Sequence, residues 1–295
     1  MKVIVVGLGV QGKKRLTVAG ADVVATVDPV VSGAQYKSVG DVPLNTYDAA
    51  LVCVPDREKA ETLKYFLANR KHVLVEKPLL EEIESLRDLA GKNRVTCYTA
   101  YNHRFEPHLV RVKQSLEKLG KIYLCRMFYG NGTARDVKNS PWRDTGLGAL
   151  SDLGSHMLDL SQWFFGNAER RFALWAGNRF ENKAFDHVLF GAGGSPMLEF
   201  EGTMVSWRNT FTLDIFGEHG SVHVFCLCKW GPSTFTLRKR VLPSGRPEEQ
   251  TETIEMKDPT WELEYDHFKK LCATGATNLD NDIWISAALN KLEAV

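Results

Sequence analysis

Three short segments of this 295-residue chain carry residue types at spacings suited to chemistry. Gly7-Leu8-Gly9-Val10-Gln11-Gly12 is a complete G-x-G-x-x-G pattern. Each glycine has a mechanical task there: Gly7 permits a tight turn, Gly9 lets a pyrophosphate approach bare backbone, and Gly12 lets a helix pack close to the preceding strand. The N–H groups that open that helix, at Val10 and Gln11, face phosphate oxygens in such a turn. Asp28 lies about twenty positions on, at the end of the second apolar run, where a carboxylate accepts from ribose hydroxyls. Asp28 favours NAD, because a carboxylate repels a 2′-phosphate; Lys13, Lys14 and Arg15 keep NADP open. S-adenosylmethionine sites also use a glycine turn and an acidic partner, but the residues after the fourth apolar run argue against that ligand.

Those residues are Glu76-Lys77-Pro78. Ligands of open α/β sheets bind at the carboxyl ends of the strands, so Lys77 falls where a nicotinamide ring would lie and can hold or protonate a substrate oxygen. The third segment runs from Gly148 to Asp159, GALSDLGSHMLD. Asp152 and His156 are four apart and share one face of a helix. Histidine is suited to taking or giving a hydroxyl proton near neutral pH, and a carboxylate beside it can orient the ring. Asp159, three residues beyond His156, is placed as its further partner or as a substrate ligand.

The elements that must position these groups can be read from apolar periodicity. Val3-Ile4-Val5-Val6, residues 23–27, 49–54, 72–75 and 95–98 are apolar runs without polar alternation, as in strands covered on both faces. Helical periods lie between them over residues 56–70 and 81–90, with Gly91 as the expected stop. This alternation predicts a parallel, doubly wound sheet. Beyond residue 100 the spacing predicts helices over 107–119, 150–165, 261–271 and 282–292, a strand over 122–128, and a long loop over 131–148. Residues 171–240 read as consecutive strands, hence a mostly antiparallel sheet. The expected fold is therefore α/β: a Rossmann domain over residues 1–100, then an α+β domain over 101–295 with a large open sheet, the final helix packing back on the first domain.

Within the long loop, Trp142 can stack on a sugar ring and Arg143 can hold a carboxylate, phosphate or hydroxyl. Arg104 and Asn102 sit at the end of the fifth strand, at the ligand edge. Tyr265 and Lys269 have a Y-x-x-x-K spacing but read as helix surface. Phe164, Phe165, Phe172 and Trp175 read as core. Phe211, Ile215 and Phe216, with Trp207, are expected along the open sheet's packing face, which would call for a partner subunit. Cys226 and Cys228 have C-x-C spacing without a second ligand pair, so no metal is expected. With 37 basic and 36 acidic residues the chain lacks the basic excess of a nucleic-acid binder. No apolar run is long enough to span a membrane. The glycine-broken N-terminus does not read as a signal peptide, so a cytoplasmic location is expected.

The GLGVQG turn, the Glu76-Lys77-Pro78 triplet, Tyr101-Asn102-His103-Arg104-Phe105 and the GALSDLGSHMLDL segment together resemble the Gfo/Idh/MocA oxidoreductases. The resemblance covers nearly the whole chain and is carried after residue 171 only by strand-rich texture. It implies hydride transfer between NAD or NADP and a sugar, cyclitol or nucleotide-linked sugar. Lys77 would lie near the hydride, His156 would accept the proton, and Asp152 would ligate substrate. It also implies a homodimer or homotetramer formed through the C-terminal sheet. The alternatives are an NAD-using glycosidase, in which oxidation is transient, and a protein that senses NAD without turnover.

Overall fold

The computed structural model describes residues 1–141, 143–167 and 169–293. The chain forms two compact units: Met1–Asn102 with Pro259–Ser286, and His103–Asp258 with the residues after Ser286.

The first unit is built on five parallel strands, β1 (Val3–Val6), β2 (Val23–Val27), β3 (Ala49–Val52), β4 (His72–Glu76) and β5 (Cys97–Ala100), in the order β2-β1-β3-β4-β5. Every residue of β1 and β3 is buried, which is why their sequences lack polar alternation. One face of the sheet packs under α2 (Asp56–Ala68) and α3 (Ile83–Asn93), through Leu63, Phe66 and Leu86. The other face packs against Tyr265 and Phe268 of α7 (Thr260–Cys272), beside α1 (Val10–Ala19).

The chain departs from the periodicity reading at α3 and β5. Helix α3 runs through Gly91 and ends at Arg94, which adopts a left-handed conformation with φ 56°. Val95 N then bonds back to Ala90 O and Thr96 N to His72 Nδ1. The first bond caps the helix, the second ties the chain to β4, and β5 begins at Cys97. Tyr265 is core and not helix surface: it is buried and its hydroxyl donates to Asp22 Oδ2 at 2.9 Å.

The second unit contains α4 (Pro107–Ser115), β6 (Ile122–Gly130), α5 (Ala134–Lys138), a π-helical turn (Leu150–Gly154) and α6 (Ser155–Phe165). Seven strands follow: β7 (Phe172–Asn178), β8 (His187–Ala192), β9 (Met197–Thr203), β10 (Thr210–Gly217), β11 (Gly220–Phe225), β12 (Ser233–Lys239) and β13 (Glu248–Ile254). Helix α8 (Leu279–Glu293) follows α7 near the end of the chain. Strands β6 to β13 form one sheet in the order β13-β12-β11-β10-β6-β9-β8-β7. Its pairings are antiparallel except β6 with β9.

Cys125, Met127, Tyr129, Phe211, Leu213, Ile215, Val222 and Val224 are all buried on one face. The other face is arranged in rows by register. Met197, Leu124, Phe216 and Ser221 form one row, Glu199, Arg126, Asp214 and His223 the next, and Glu201, Phe128, Thr212 and Phe225 a third. In the middle row Asp214 Oδ1 lies 2.6 Å from His223 Nδ1, and His223 Nε2 lies 2.8 Å from Ser221 Oγ. Strand parity corrects the expected packing face: Phe211 and Ile215 point into the core, while Phe216 points the opposite way. Trp207 and Trp175 are exposed, the former outside the strands.

Candidate active site

In the first unit the glycine turn joins β1 to α1. Gly7 has φ +87°, and a Cβ there would meet the Cys53 carbonyl oxygen at 2.6 Å, so the turn lies tight on the end of β3. A Cβ on Gly12 would fall 1.8 Å from the Gly7 oxygen, so α1 packs directly on the turn. A Cβ on Gly9, by contrast, would meet nothing within 4 Å. No side chain caps α1, its first turn holds no acidic residue, and Val10 is 74% exposed. Backbone N–H groups at an uncapped helix start suit an anion, and the space at Gly9 lets one approach. These residues fit the pyrophosphate of a dinucleotide.

Asp28 stands beside this turn. Its Oδ2 accepts from Leu8 N at 2.8 Å, and its Oδ1 accepts from Val30 N and Val31 N at 2.8 Å each. Burial alone would push the carboxyl up; the three N–H bonds, with Lys37 nearby, outweigh it and hold the group below its ordinary value. Its stabilising contribution is thus complete above the ordinary carboxylate value near ~3.9 and is lost as pH falls through the lower folded value. Asp28→Asn should cost about 1.5–3 kcal/mol at neutral pH, the range for hydrogen bonds to a charged group. Urea unfolding should show the gap to the unsubstituted protein closing in acid; a gap of constant size would contradict this role.

Arg15 leaves the set of cofactor candidates. It is buried, with Nε 2.7 Å from Glu76 Oε1 and Nη2 2.7 Å from Glu264 Oε2. Burial opposes its charge, but the two carboxylates more than compensate and raise its pKa. Glu76, expected at the cofactor, anchors Arg15 with its carboxylate and so ties the end of β4 to α1. Lys13 and Lys14 remain exposed.

Lys77 follows β4 and is half-buried, and its peptide bond to Pro78 is cis. A residue that sequence reasoning missed supports this corner. Lys59 on α2 is buried, donates to Pro78 O at 2.6 Å and pairs with Asp56 Oδ1 at 2.7 Å. Burial lowers its pKa.

In the second unit, residues 146–148 turn the chain into the π-helical segment that carries Asp152. Gly148 has φ +52°, and a Cβ there would meet Phe185 O at 2.2 Å. The chain is helical throughout the expected 150–165, first as this wider turn and, from Ser155, one residue before His156, as α6. Wide turns of this kind recur at functional sites. His156 is 7% exposed and stacks on His103, with centroids 4.0 Å apart and planes 21° apart. Tyr129 leans on both rings, at 5.5 and 6.0 Å. Burial raises the Tyr129 pKa, and the Asp152 carboxylate adds to the effect. His103 stands out by no spacing of its own, although it lies inside the YNHRF segment.

Arg104 and Asp159, expected to touch substrate, bind each other. Arg104 Nε and Nη2 grip both Asp159 oxygens at 2.6–3.0 Å, and Nη2 also reaches Gln162 Oε1 at 3.0 Å. Asp159 is fully buried, so the pair fastens the chain before α4 to α6. Asn102 in the first unit donates to Thr260 Oγ1 at 2.7 Å. Arg143 lies half-buried in a turn closed by its own N–H to Ser140 O at 2.7 Å. Trp142 lies outside the described residues.

Residues 1–101 match the oxidoreductase family with an NAD-binding Rossmann fold, and residues 110–223 match the GFO/IDH/MocA C-terminal domain. The chain belongs to this GFO/IDH/MocA oxidoreductase family. It is 26% identical over 188 residues to the rhizopine catabolism protein MocA of Rhizobium meliloti, covering 57% of this chain and 58% of that protein. It is 27% identical over 143 residues to glucose-6-phosphate 3-dehydrogenase of Bacillus subtilis, covering 45% and 41%. The chain thus spans less than two thirds of the length of these relatives. Among solved structures, levoglucosan dehydrogenase in complex with NADH superposes with a TM-score of 0.83 at 18% identity, over 99% of this chain and 95% of that one. UDP-N-acetylglucosamine 3-dehydrogenase from Acidithiobacillus ferrooxidans gives 0.81 at 16% identity, over 100% and 96%. At such identities these likenesses establish the fold. Among the described residues no helix is long and apolar enough to cross a membrane.

Proposed function

We propose that this chain is an NAD-linked dehydrogenase or reductase acting on a CH–OH or carbonyl carbon of a sugar, cyclitol or nucleotide-linked sugar. The observation that carries the reading is the bare backbone at Gly9, at the uncapped start of α1, beside the ionised carboxylate of Asp28. Relatives bearing the names of sugar dehydrogenases support the substrate class. A nicotinamide dinucleotide supplies the hydride acceptor or donor. The protein's part is to hold it and to manage the proton. The turn N–H groups bind the pyrophosphate. Asp28 has one acceptor site left for the adenosine ribose and disfavours a 2′-phosphate, and the burial of Arg15 removes one cation that could offset that repulsion. Lys77 holds the reacting oxygen, His156 takes or returns its proton, and Asp152 orients the substrate.

The test is reduced-nicotinamide absorbance with NAD and NADP against free sugars, inositols and sugar nucleotides, in both directions. Net turnover with NAD on at least one of these is expected. Saturable NAD binding without turnover would replace the reading with a sensor, and glycoside cleavage without net NADH would replace it with a glycosidase.

We also propose that a second copy of the chain covers the solvent face of the eight-stranded sheet, where Phe225, Phe216 and Met197 are exposed. Light scattering should give at least twice the chain mass; a monomer at micromolar concentration would reject this.

A further inference from the structure

The histidine pair of the second unit sits in a network that extends well beyond Asp152. Glu106 immediately precedes α4 and is buried. Its Oε1 accepts from Cys228 N at 3.0 Å and its Oε2 from Cys228 Sγ at 3.1 Å. This fixes the single helical turn Cys228–Trp230. Trp230 lies against Tyr129, with centroids 5.7 Å apart. Lys229 brings its Nζ 3.3 Å from His103 Nε2. An ammonium can only donate, so His103 Nε2 must present its lone pair and the ring carries its proton on Nδ1. Phe211 also lies edge-on to that ring, at 6.3 Å.

Two imidazoles stacked at 4.0 Å and almost fully removed from water cannot both carry charge. The ammonium of Lys229 at the rim of His103 adds a further like charge against protonating that ring. A proton that reaches the pair therefore settles on His156. A neutral aromatic face in turn attracts a cation lying over it. Ionisable groups around the pair include Tyr129 from β6 and Asp152 from the π-helical turn near Tyr129; Glu106 lies close enough to both Lys229 and Asp258 to feel their charges. The ammonium of Lys229 stands at His103 Nε2 itself.

We propose that His103 is a positioning residue for His156: held neutral and in a single tautomer by Lys229, it is the face on which protonated His156 rests. His103 itself gains and loses no proton in the cycle; the substrate hydroxyl proton passes to His156 and back. This rests on the dehydrogenase reading for its purpose, but the pair can be observed without any substrate.

Long-range 1H–15N imidazole spectra of the full chain test it directly, with His103→Phe identifying the signals. As the pH is lowered, His156 should be the ring that gains the proton while His103 stays in the Nδ1–H form. In Lys229→Met both rings should titrate and the His103 tautomer should become mixed; Lys229→Arg, which keeps a donor, should restore the original pattern. With a substrate in hand, Lys229→Met should lower kcat about tenfold with KM little changed. His103→Phe, which keeps a neutral face, should lose less than His103→Ala. His103 protonating first, or Lys229→Met leaving both the tautomer and the titration order untouched, would overturn the proposal. Failure to find any substrate would count against the dehydrogenase reading alone, because the spectra require none.

Discussion

Lys77→Ala should leave the chain folded and able to bind NAD while lowering kcat/KM about 100- to 10,000-fold, the span usual for a group that assists proton transfer. Lys77 stands at the carboxyl end of β4, where open parallel sheets take their ligands. Its corner is braced from behind, because buried Lys59 donates to the Pro78 carbonyl. That brace runs from Lys59 to the Pro78 carbonyl and not through the Lys77 side chain. Lys77→Arg should not rescue activity, since guanidinium is larger, planar and always charged. A fall in kcat with NAD affinity intact would place Lys77 on the substrate side of the reaction. Activity within twofold of the unsubstituted enzyme would remove Lys77 from the machinery.

The second large effect separates two glycines of one motif. In Gly12→Ala the new methyl would sit 1.8 Å from the Gly7 carbonyl oxygen. That oxygen cannot retreat easily, because Gly7 N is bonded to Val27 O at 2.8 Å and Gly7 is pressed against Cys53. The cost should reach about 3 kcal/mol, the upper range for overpacking, and appear as a lower Tm without any ligand. Gly9→Ala meets no protein atom within 4 Å, so its ligand-free Tm should hold. It should instead lose the stabilisation by NAD, which at a hundredfold excess over Kd is about 2.7 kcal/mol in a protein that binds. Thermal melts of the two variants with and without NAD decide it. Gly9→Ala retaining the full NAD shift would mean that the pyrophosphate does not lie on this turn.

The parallel sheet and the glycine turn were legible because local patterns encode them. Continuous apolar runs mark strands buried on both faces, and the turn's glycines are fixed by contacts within a few residues or with the adjacent strand. The strand-rich second unit was legible as texture only. Strand parity could have shown that Phe211 and Ile215 face away from Phe216, since positions of odd and even number point to opposite faces. The end of α3 was misread because Gly91 is a common stop, whereas Arg94 supplies the left-handed cap here. The site was half legible. Asp152 and His156 stand out by spacing, but nothing in that spacing marks the wider turn that carries Asp152. The fates of Arg15, Glu76, Arg104 and Asp159 depend on ion pairs between residues far apart in sequence, which no periodicity reveals. His103 and Lys229 were invisible for the same reason.

The contribution of α7 to the first unit bears on how the protein is made. Arg15 and Glu76 both emerge in translation well before the second carboxylate, Glu264. Until then the sheet face containing Leu74 and Tyr98 lacks the cover of Tyr265 and Phe268. N-terminal domains commonly fold on the ribosome before later ones are synthesised. This one must wait, half-covered and with a guanidinium short of one partner, while the intervening residues 103–258 are threaded out ahead of its last helices.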